Sequence, residues 1–175
     1  MTLLSPRVML AVCAALAACT PALNWRDVRP EASGARLLMP CKPSAQQRNL
    51  VLAGRAVRLT LLACSAGGLT WGLAHSDVAD LARVPGVLAA LRSAAAANLG
   101  ATGPPTAVEA LAVPGATPNA SAGRTRLAGR LPDGTPVQME LAVFVRGTRV
   151  FQASALGERL APDAVDNFFT SIRFE

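Results

Sequence analysis

The sequence predicts a single α+β domain, in which an antiparallel β-sheet is flanked by helices, behind an N-terminal signal segment. Two stretches repeat apolar residues at helical spacing, and most of the remaining chain resembles short strands between Gly- and Pro-rich turns. A chain of 175 residues is too short for a second full-sized domain. With 51% hydrophobic and 16% charged residues, the composition supports a folded core and argues against disorder.

The first eighteen residues have the organisation of a bacterial lipoprotein signal peptide. Arg7 is the only charged residue before the uncharged run Val8–Ala18, which is too short for a stable membrane-spanning helix. The run leads into the sequence LAAC, which resembles the lipobox and ends at Cys19. We therefore expect removal of residues 1–18 and lipidation of Cys19, with palmitate among the acyl chains. The alternative is an ordinary secretory signal that happens to contain a cysteine.

Lipidation at this position implies a location in the cell envelope. In bacterial lipoproteins the residue after the lipidated cysteine influences sorting, and Thr20 in place of aspartate favours the outer membrane. We expect a lipid-anchored protein that faces the periplasm. In this organisation residues 19–33 contain the lipidated cysteine and a tether, and residues 34–175 form the single α+β domain.

The cysteine count agrees with an exported protein. Cys13 leaves with the signal peptide and Cys19 carries lipid, so Cys41 and Cys64 remain of the four cysteines. In an oxidising periplasm such a pair is more often a disulfide than a metal site, and His75 is the only histidine available as a further ligand. We predict a Cys41–Cys64 disulfide and no metal or other cofactor. Two separate buried thiols are the alternative.

Strands dominate the first part of the mature chain. Ala35–Met39 is a short apolar run that ends at a turn with two prolines. Asn49–Leu52 and Ala56–Ser65 surround Gly54 in the manner of a hairpin. Leu69–Ser76 follows a Gly-Gly turn, which predicts a further strand before the first helix.

Two helices are predicted, one in the middle of the chain and one near its end. The first lies within Pro85–Leu99, where apolar residues recur every three or four positions and Gly100 suits the C-terminal stop. The second begins at Pro162, and Arg173–Phe174 follows it as a last short strand. Its apolar stripe consists of Val165, Phe168, Phe169 and Ile172.

Between the helices, the pattern predicts a short strand at Ala107–Val113 and then two hairpins. Arg124–Leu131 has one polar face, and an Asp-Gly turn leads into a return strand. Leu141–Val145 is apolar at every position, which predicts a strand covered on both faces. A turn at Gly147-Thr148 then sets Phe144 and Val145 opposite Phe151 and Val150, one pair on each face.

The polar face of the first of these strands carries Arg124, Arg126 and Arg130. To keep the apolar residues of both strands on one face, we expect a register such as Ala128 opposite Glu140, which sets Glu140 diagonal to two of the arginines. The three arginines are a candidate site for anionic envelope lipid. The alternative is a solvated strand face whose charge is partly neutralised.

Four segments of the chain resemble the PsbP-like (Mog-type) α/β sandwich proteins of bacterial envelopes. These segments are LLMPCKP, LRSAAAANLGA, VFVRGTRVFQASA and DNFFTSIRF. The resemblance implies an antiparallel sheet flanked by helices. Because the motifs are structural, it transfers no catalytic or binding residue to this chain. The cysteine of PCKP departs from the family pattern and agrees with a disulfide to Cys64.

Charge and motifs argue against nucleic-acid binding and leave little support for catalysis. The net charge is +6, but the arginines are spread along the chain and tyrosine is absent. In His75-Ser76-Asp77, adjacent side chains of a strand point to opposite faces, so no catalytic relay is expected. We expect an envelope lipoprotein with a non-catalytic binding or scaffolding role, whose partner is an envelope protein or an anionic lipid. The alternative is an envelope enzyme with a site that the sequence conceals.

Overall fold

The computed structural model describes residues 22–101 and 109–175, and within them the chain is a mixed α+β fold with antiparallel sheets. The expected signal peptide and Cys19 lie outside the described residues. The strands are β1 (Arg26–Val28), β2 (Ala35–Met39), β3 (Ser44–Leu52), β4 (Arg55–Ala66), β5 (Leu69–Asp77), β6 (Gly123–Arg130), β7 (Pro136–Arg146), β8 (Arg149–Gly157) and β9 (Arg173–Phe174). The helices are α1 (Val84–Asn98) and α2 (Pro162–Thr170).

Six strands form the main sheet, in the order β3-β4-β5-β8-β7-β6. β1, β2 and β9 form a separate three-stranded sheet. The centre of the main sheet is the pairing of β5 with β8, which joins the β3–β4–β5 strands to the β6–β7–β8 strands. β3 and β6 are therefore the two edges.

The β7–β8 hairpin has the predicted register. Phe144 pairs with Phe151 and Val145 with Val150, so the two pairs lie on opposite faces. The Phe rings stack in parallel, with centroids 5.1 Å apart. Because every residue from 141 to 145 is buried, the prediction of a strand covered on both faces is confirmed.

Helix α1 covers the face of the sheet that carries Val143, Val145 and Val150. Asp80 caps the 3₁₀ turn Leu81–Arg83 before the helix, since its carboxylate accepts a hydrogen bond from the Ala82 N–H. The helix buries a stripe at spacings of three and four, consisting of Val84, Val87, Leu88, Leu91 and Ala95. At its C-terminal end the fit is close, because a Cβ at Gly129 of β6 would collide with the Leu99 carbonyl.

The opposite face is covered by α2 and the small sheet. Trp71 of β5 packs edge-on against Phe168 of α2, with ring centroids 5.3 Å apart. Phe174 of β9 contacts both stacked rings of the β7–β8 hairpin. The main sheet thus lies between α1 on one side and α2 with the small sheet on the other.

Two sequence predictions about local structure are wrong. In the β6–β7 pairing, Glu140 lies opposite Arg126, whereas Ala128 pairs with Gln138. The predicted parity is right, but the strands are shifted by two residues because residues 131–135 form a longer turn than expected. β1 lies within residues 19–33, so part of the predicted tether is a strand of the fold.

Of the strand predicted at Ala107–Val113, the structure describes residues 109–113, and most of these are not in a strand. Residues 107 and 108 lie outside the described residues. Glu109 forms a single β-bridge with Arg124, and 110–113 have no strand structure. Val113 and Leu111 pack on the core from an irregular segment, which explains why their pattern resembles that of a strand.

The described part of the chain contains no helix long and apolar enough to cross a bilayer.

Candidate functional site

A cleft of about 480 Å³ opens on the α2 side of the main sheet, beside its β3 edge. One wall is the connection between β1 and β2, at Arg29–Ala32, and the other is Ala45–Gln47 of β3. The floor consists of Thr60, Leu62 and His75 from β4 and β5. Here α2 and the small sheet no longer cover the main sheet, so polar side chains replace the aromatic core.

Strand register places the cleft residues in a row. Gln47 pairs with Thr60, and Thr60 pairs with His75 across the next two strands. Paired residues in neighbouring strands point to the same face, so an amide, a hydroxyl and an imidazole lie side by side. The next residue in the row is Phe151 of β8, where the buried core begins.

His75 is the most unusual residue of the cleft. It is only 6% exposed, and its Nε2 atom is buried with no hydrogen-bond partner among the described residues. The ring stacks on Phe151, with centroids 5.9 Å apart. A buried polar atom without a partner costs about 1–3 kcal/mol. A ligand removes this cost only if it reaches Nε2, which requires that the groups covering the atom move.

Burial also controls the charge of His75. Desolvation lowers the pKa of the imidazole below its ordinary value of 6.5, and the positive charge of Arg149 lowers it further. The ring is therefore neutral at pH 7. A neutral imidazole has one donor and one acceptor nitrogen, so it suits a polar ligand better than an anion that needs a positive partner.

This shift predicts that the folded protein loses stability on acidification. Because the pKa of His75 is lower in the folded than in the unfolded state, the unfolded chain binds more protons as the pH falls through 6.5, and the free energy of unfolding decreases. His75 is the only histidine, so its imidazole titrates as a single NMR signal set. We expect a pKa below 6.5.

The matched comparison for this pH dependence is His75→Gln, which keeps polar atoms but removes the titration. The variant is expected to lose the part of the stability change that the wild type shows just below pH 6.5. A wild-type imidazole pKa of 6.5 or higher contradicts the prediction.

A buried carboxylate, that of Glu140, lies on the same face of the sheet as His75, under α2. Glu140 is only 2% exposed and accepts hydrogen bonds from Arg124 Nε and Arg126 Nε, the latter at 2.9 Å. Arg124 also binds Asp166 of α2 at 2.7 Å, and its guanidinium lies 4.6 Å from the centre of the Phe169 ring. These contacts connect α2 to β6 and β7.

The charge of the predicted arginine face is partly neutralised by Glu140. Arg124, Arg126 and Arg130 do lie on one face of β6, since they alternate with its buried residues. However, Glu140 is buried rather than solvated, and it contacts two of the arginines directly. Arg130 lies apart from it and donates a hydrogen bond to the Gly134 carbonyl at 2.9 Å. Two of the three charges that an anionic lipid was expected to bind already have carboxylate partners.

The predicted disulfide is present. Cys41 and Cys64 are bonded, with Cα atoms 6.0 Å apart. The bond joins the segment before β3 to β4, and both cysteines pack against the core. It lies at the end of β3 from which the cleft begins.

The three residues His75-Ser76-Asp77 do not form a catalytic relay. They are the last residues of β5, and Ser76 lies on the face opposite His75. Asp77 accepts hydrogen bonds from Ala79 N–H and Thr148 Oγ1, and the first of these is the main cause of its lowered pKa. Its carboxylate stabilises the turns at the end of the sheet through these hydrogen bonds.

Sequence reasoning did not find the cleft. Gln46, Gln47 and Thr60 were not identified, because the polar sequence SAQQRN at the start of β3 lacks the alternation of a half-buried strand. The available signal was His75 itself, a lone polar ring in an otherwise apolar strand. Its neighbours in space come from segments 13 or more residues away.

Within residues 22–101 and 109–175, no cluster of three or more potential metal ligands is present. The chain matches no protein-family model, and a search of curated proteins finds no significant relative.

Proposed function

We propose that this protein is a lipid-anchored envelope protein with a non-catalytic binding role, and that it binds its ligand in the cleft at His75. The anchor is Cys19, and the location is the outer membrane on its periplasmic side. The observation that supports the binding role most directly is the buried Nε2 of His75 without a partner, on the floor of an open cleft.

The sequence LAAC and the disulfide support the anchored location. Disulfides persist in oxidising compartments, so the Cys41–Cys64 bond agrees with export. Leu23 packs at Gly67 in the β4–β5 turn, and the ring of Trp25 packs edge-on against that of Trp71, with ring centroids 6.0 Å apart. The chain after the lipidated cysteine thus meets the fold at this end of the sheet, which then lies nearest the membrane.

The residues of the cleft support binding rather than catalysis. His75 is neutral and lies beside Thr60 and the amides of β3. Of the residues that line the cleft, Glu31 is the one carboxylate, and it forms no hydrogen bond with His75. A histidine that acts as general acid or base needs a nitrogen within hydrogen-bond reach of the substrate, and the Nε2 atom of His75 is buried. The floor and the β3 wall of the cleft offer neutral donors and acceptors, and Arg29 and Glu31 lie on the opposite wall; this lining suits recognition of a polar ligand.

The arrangement of layers supports a PsbP-like sandwich as the fold class. An antiparallel six-stranded sheet lies between helices on its two faces, as that resemblance implies. In this proposal the class supplies the scaffold, and the edge of the sheet supplies the site.

One experiment in intact cells tests the anchor and the site together. The full chain carries a photoreactive amino acid at position 47, in place of Gln47, and cells are fed an alkyne fatty acid. We expect the wild-type N-terminus to incorporate the fatty acid, and irradiation to give discrete adducts from position 47. The same photoreactive residue in place of Ala97, on the exposed surface of α1, is the matched control and is expected to give none of these adducts.

Cysteine variants complete the experiment. Cys19→Ala is expected to abolish fatty-acid labelling, whereas Cys13→Ala keeps it because that residue leaves with the signal peptide. Label that survives in Cys19→Ala contradicts the anchor. Identical adducts from positions 47 and 97, or none from either, contradict binding in the cleft.

A further inference from the structure

A group of exposed arginines without acidic neighbours in sequence lies at the β3 edge of the main sheet, opposite β6. No acidic residue occurs between Glu31 and Asp77, a span of the chain that contains the whole β3–β4 hairpin. This hairpin carries Arg48, Arg55 and Arg58, all of them exposed. Within the described residues none of the three forms an ion pair, in contrast to Arg124 and Arg126 on the other edge.

The three arginines are divided between the two faces of the sheet near its β3 edge. Leu50 and Leu52 of β3 pack toward α1, so Arg48 shares that face and so does Arg55, which pairs with Leu52. Arg58 pairs with Asn49 and lies on the cleft side. A ligand that follows β3 therefore meets positive charge whichever face its side chains point to.

The backbone of this edge is also available. β3 pairs only with β4 within the described part of the chain, so its outer N–H and C=O groups have no strand partner there. Nine residues give an edge about 30 Å long. β6 differs, because Glu109 pairs with Arg124 by two backbone hydrogen bonds. Native sheets usually protect such an edge, and charged residues are one common means.

We propose that the β3 edge binds an extended acidic segment of a partner protein, which adds to the sheet as a further strand and directs one side chain into the adjacent cleft. This inference rests on the proposed binding role and names the class of ligand. Backbone hydrogen bonds along β3 hold the segment, and its carboxylates meet Arg48, Arg55 and Arg58. A segment that pairs along β3 also lies beside Ala45–Gln47, which form one wall of the cleft.

The position of the hairpin favours a protein partner over the membrane. The chain after Cys19 meets the fold at Gly67, at one end of β4, whereas Arg55 begins β4 at its other end. Twelve strand residues separate these ends by about 40 Å. The lipid anchor lies near one end of β4 and the arginines lie toward its opposite end. The arginines are therefore directed away from the membrane that holds the anchor.

The test uses the full mature protein in a non-ionic detergent and a fluorescein-labelled decapeptide of alternating Glu and Thr. We expect saturable binding by fluorescence anisotropy that weakens as salt is added. A second peptide of the same sequence carries an N-methyl group on every residue, which blocks the backbone donors of both edges and keeps the charges. Because strand addition needs backbone hydrogen bonds from one of these edges, the N-methylated peptide is expected to bind at least tenfold more weakly than the unmodified one.

Two triple variants separate a specific site from net charge. Replacing Arg48, Arg55 and Arg58 by Gln is expected to weaken peptide binding at least tenfold. The matched control replaces Arg26, Arg130 and Arg159 by Gln, three exposed arginines that lie elsewhere and form no ion pair within the described residues. It removes the same charge and is expected to leave the affinity within twofold.

Several results overturn the inference. Equal binding of the unmodified and the N-methylated peptide excludes strand addition, and equal loss in the two triple variants indicates a non-specific charge effect. Binding of phosphatidylglycerol vesicles through the hairpin arginines, without peptide binding, assigns the surface to a membrane. If position 47 gives adducts in cells while the peptide does not bind, the proposed function stands and this inference fails.

Discussion

Loss of the Cys41–Cys64 disulfide is expected to lower the free energy of unfolding by about 3.5 kcal/mol, because the open chain gains the freedom of a loop of about 24 residues in the unfolded state. The measurement is guanidinium unfolding of the oxidised wild type and of the double variant Cys41→Ala/Cys64→Ala. The midpoint is expected to shift to lower denaturant, with loss of the β3 end of the sheet as part of the same transition.

Reduction of the wild type provides the control for this comparison. Both cysteines pack against the core, so the alanines also remove some apolar contact. The reduced wild type retains the side chains and isolates the effect of the bond. A reductant is expected to destabilise the wild type and leave the double variant unchanged. Equal midpoints for the oxidised and reduced wild type contradict the prediction.

Arg124→Ala is expected to cost about 3 kcal/mol of unfolding free energy, the second large effect. The side chain of Arg124 is only 16% exposed, and it contacts Glu140, Asp166 and Phe169 at once. Its removal leaves the buried Glu140 carboxylate with Arg126 alone and releases the contact between β6 and α2. Urea unfolding followed by Trp fluorescence measures this loss, since Trp71 packs against Phe168 of α2.

The matched control is Arg130→Ala on the same strand and the same face. Arg130 is exposed and has no carboxylate partner among the described residues, so the change is expected to stay below about 0.5 kcal/mol. Asp166→Ala breaks only the exposed part of the network and is expected to cost less than about 1 kcal/mol. If Arg124→Ala and Arg130→Ala destabilise equally, the network does not stabilise the fold.

The sequence was most informative where contacts are local. A two-residue turn at Gly147-Thr148 permits one pairing of its flanking strands, so the position of Phe144 opposite Phe151 follows from the sequence alone. Between β6 and β7, the apolar face determined the parity but not the shift, because moving a strand by two residues keeps the same side chains inside. Arg126 rather than Ala128 consequently lies opposite Glu140.

The candidate site was less predictable because it depends on distant segments. The β1–β2 connection forms one wall of the cleft above β4 and β5, and no periodic pattern in Arg29–Ala32 indicates that position. The first half of the edge strand is polar on both faces, so only its second half, Asn49–Leu52, resembles a strand. The Cys41–Cys64 pairing was predictable, since compartment and cysteine count leave few combinations.

The pairing of β5 with β8 has a consequence for how the chain folds. β3, β4 and β5 are joined by a tight turn at each step, and β7 and β8 likewise, whereas β5 meets β8 across more than seventy residues that include α1. Closing so long a loop has a large entropic cost before any contact forms. We therefore expect the pairing of β5 with β8 to be the rate-limiting event. Substitutions in these two strands are then expected to slow folding, whereas substitutions in the outer hairpins are expected mainly to speed unfolding.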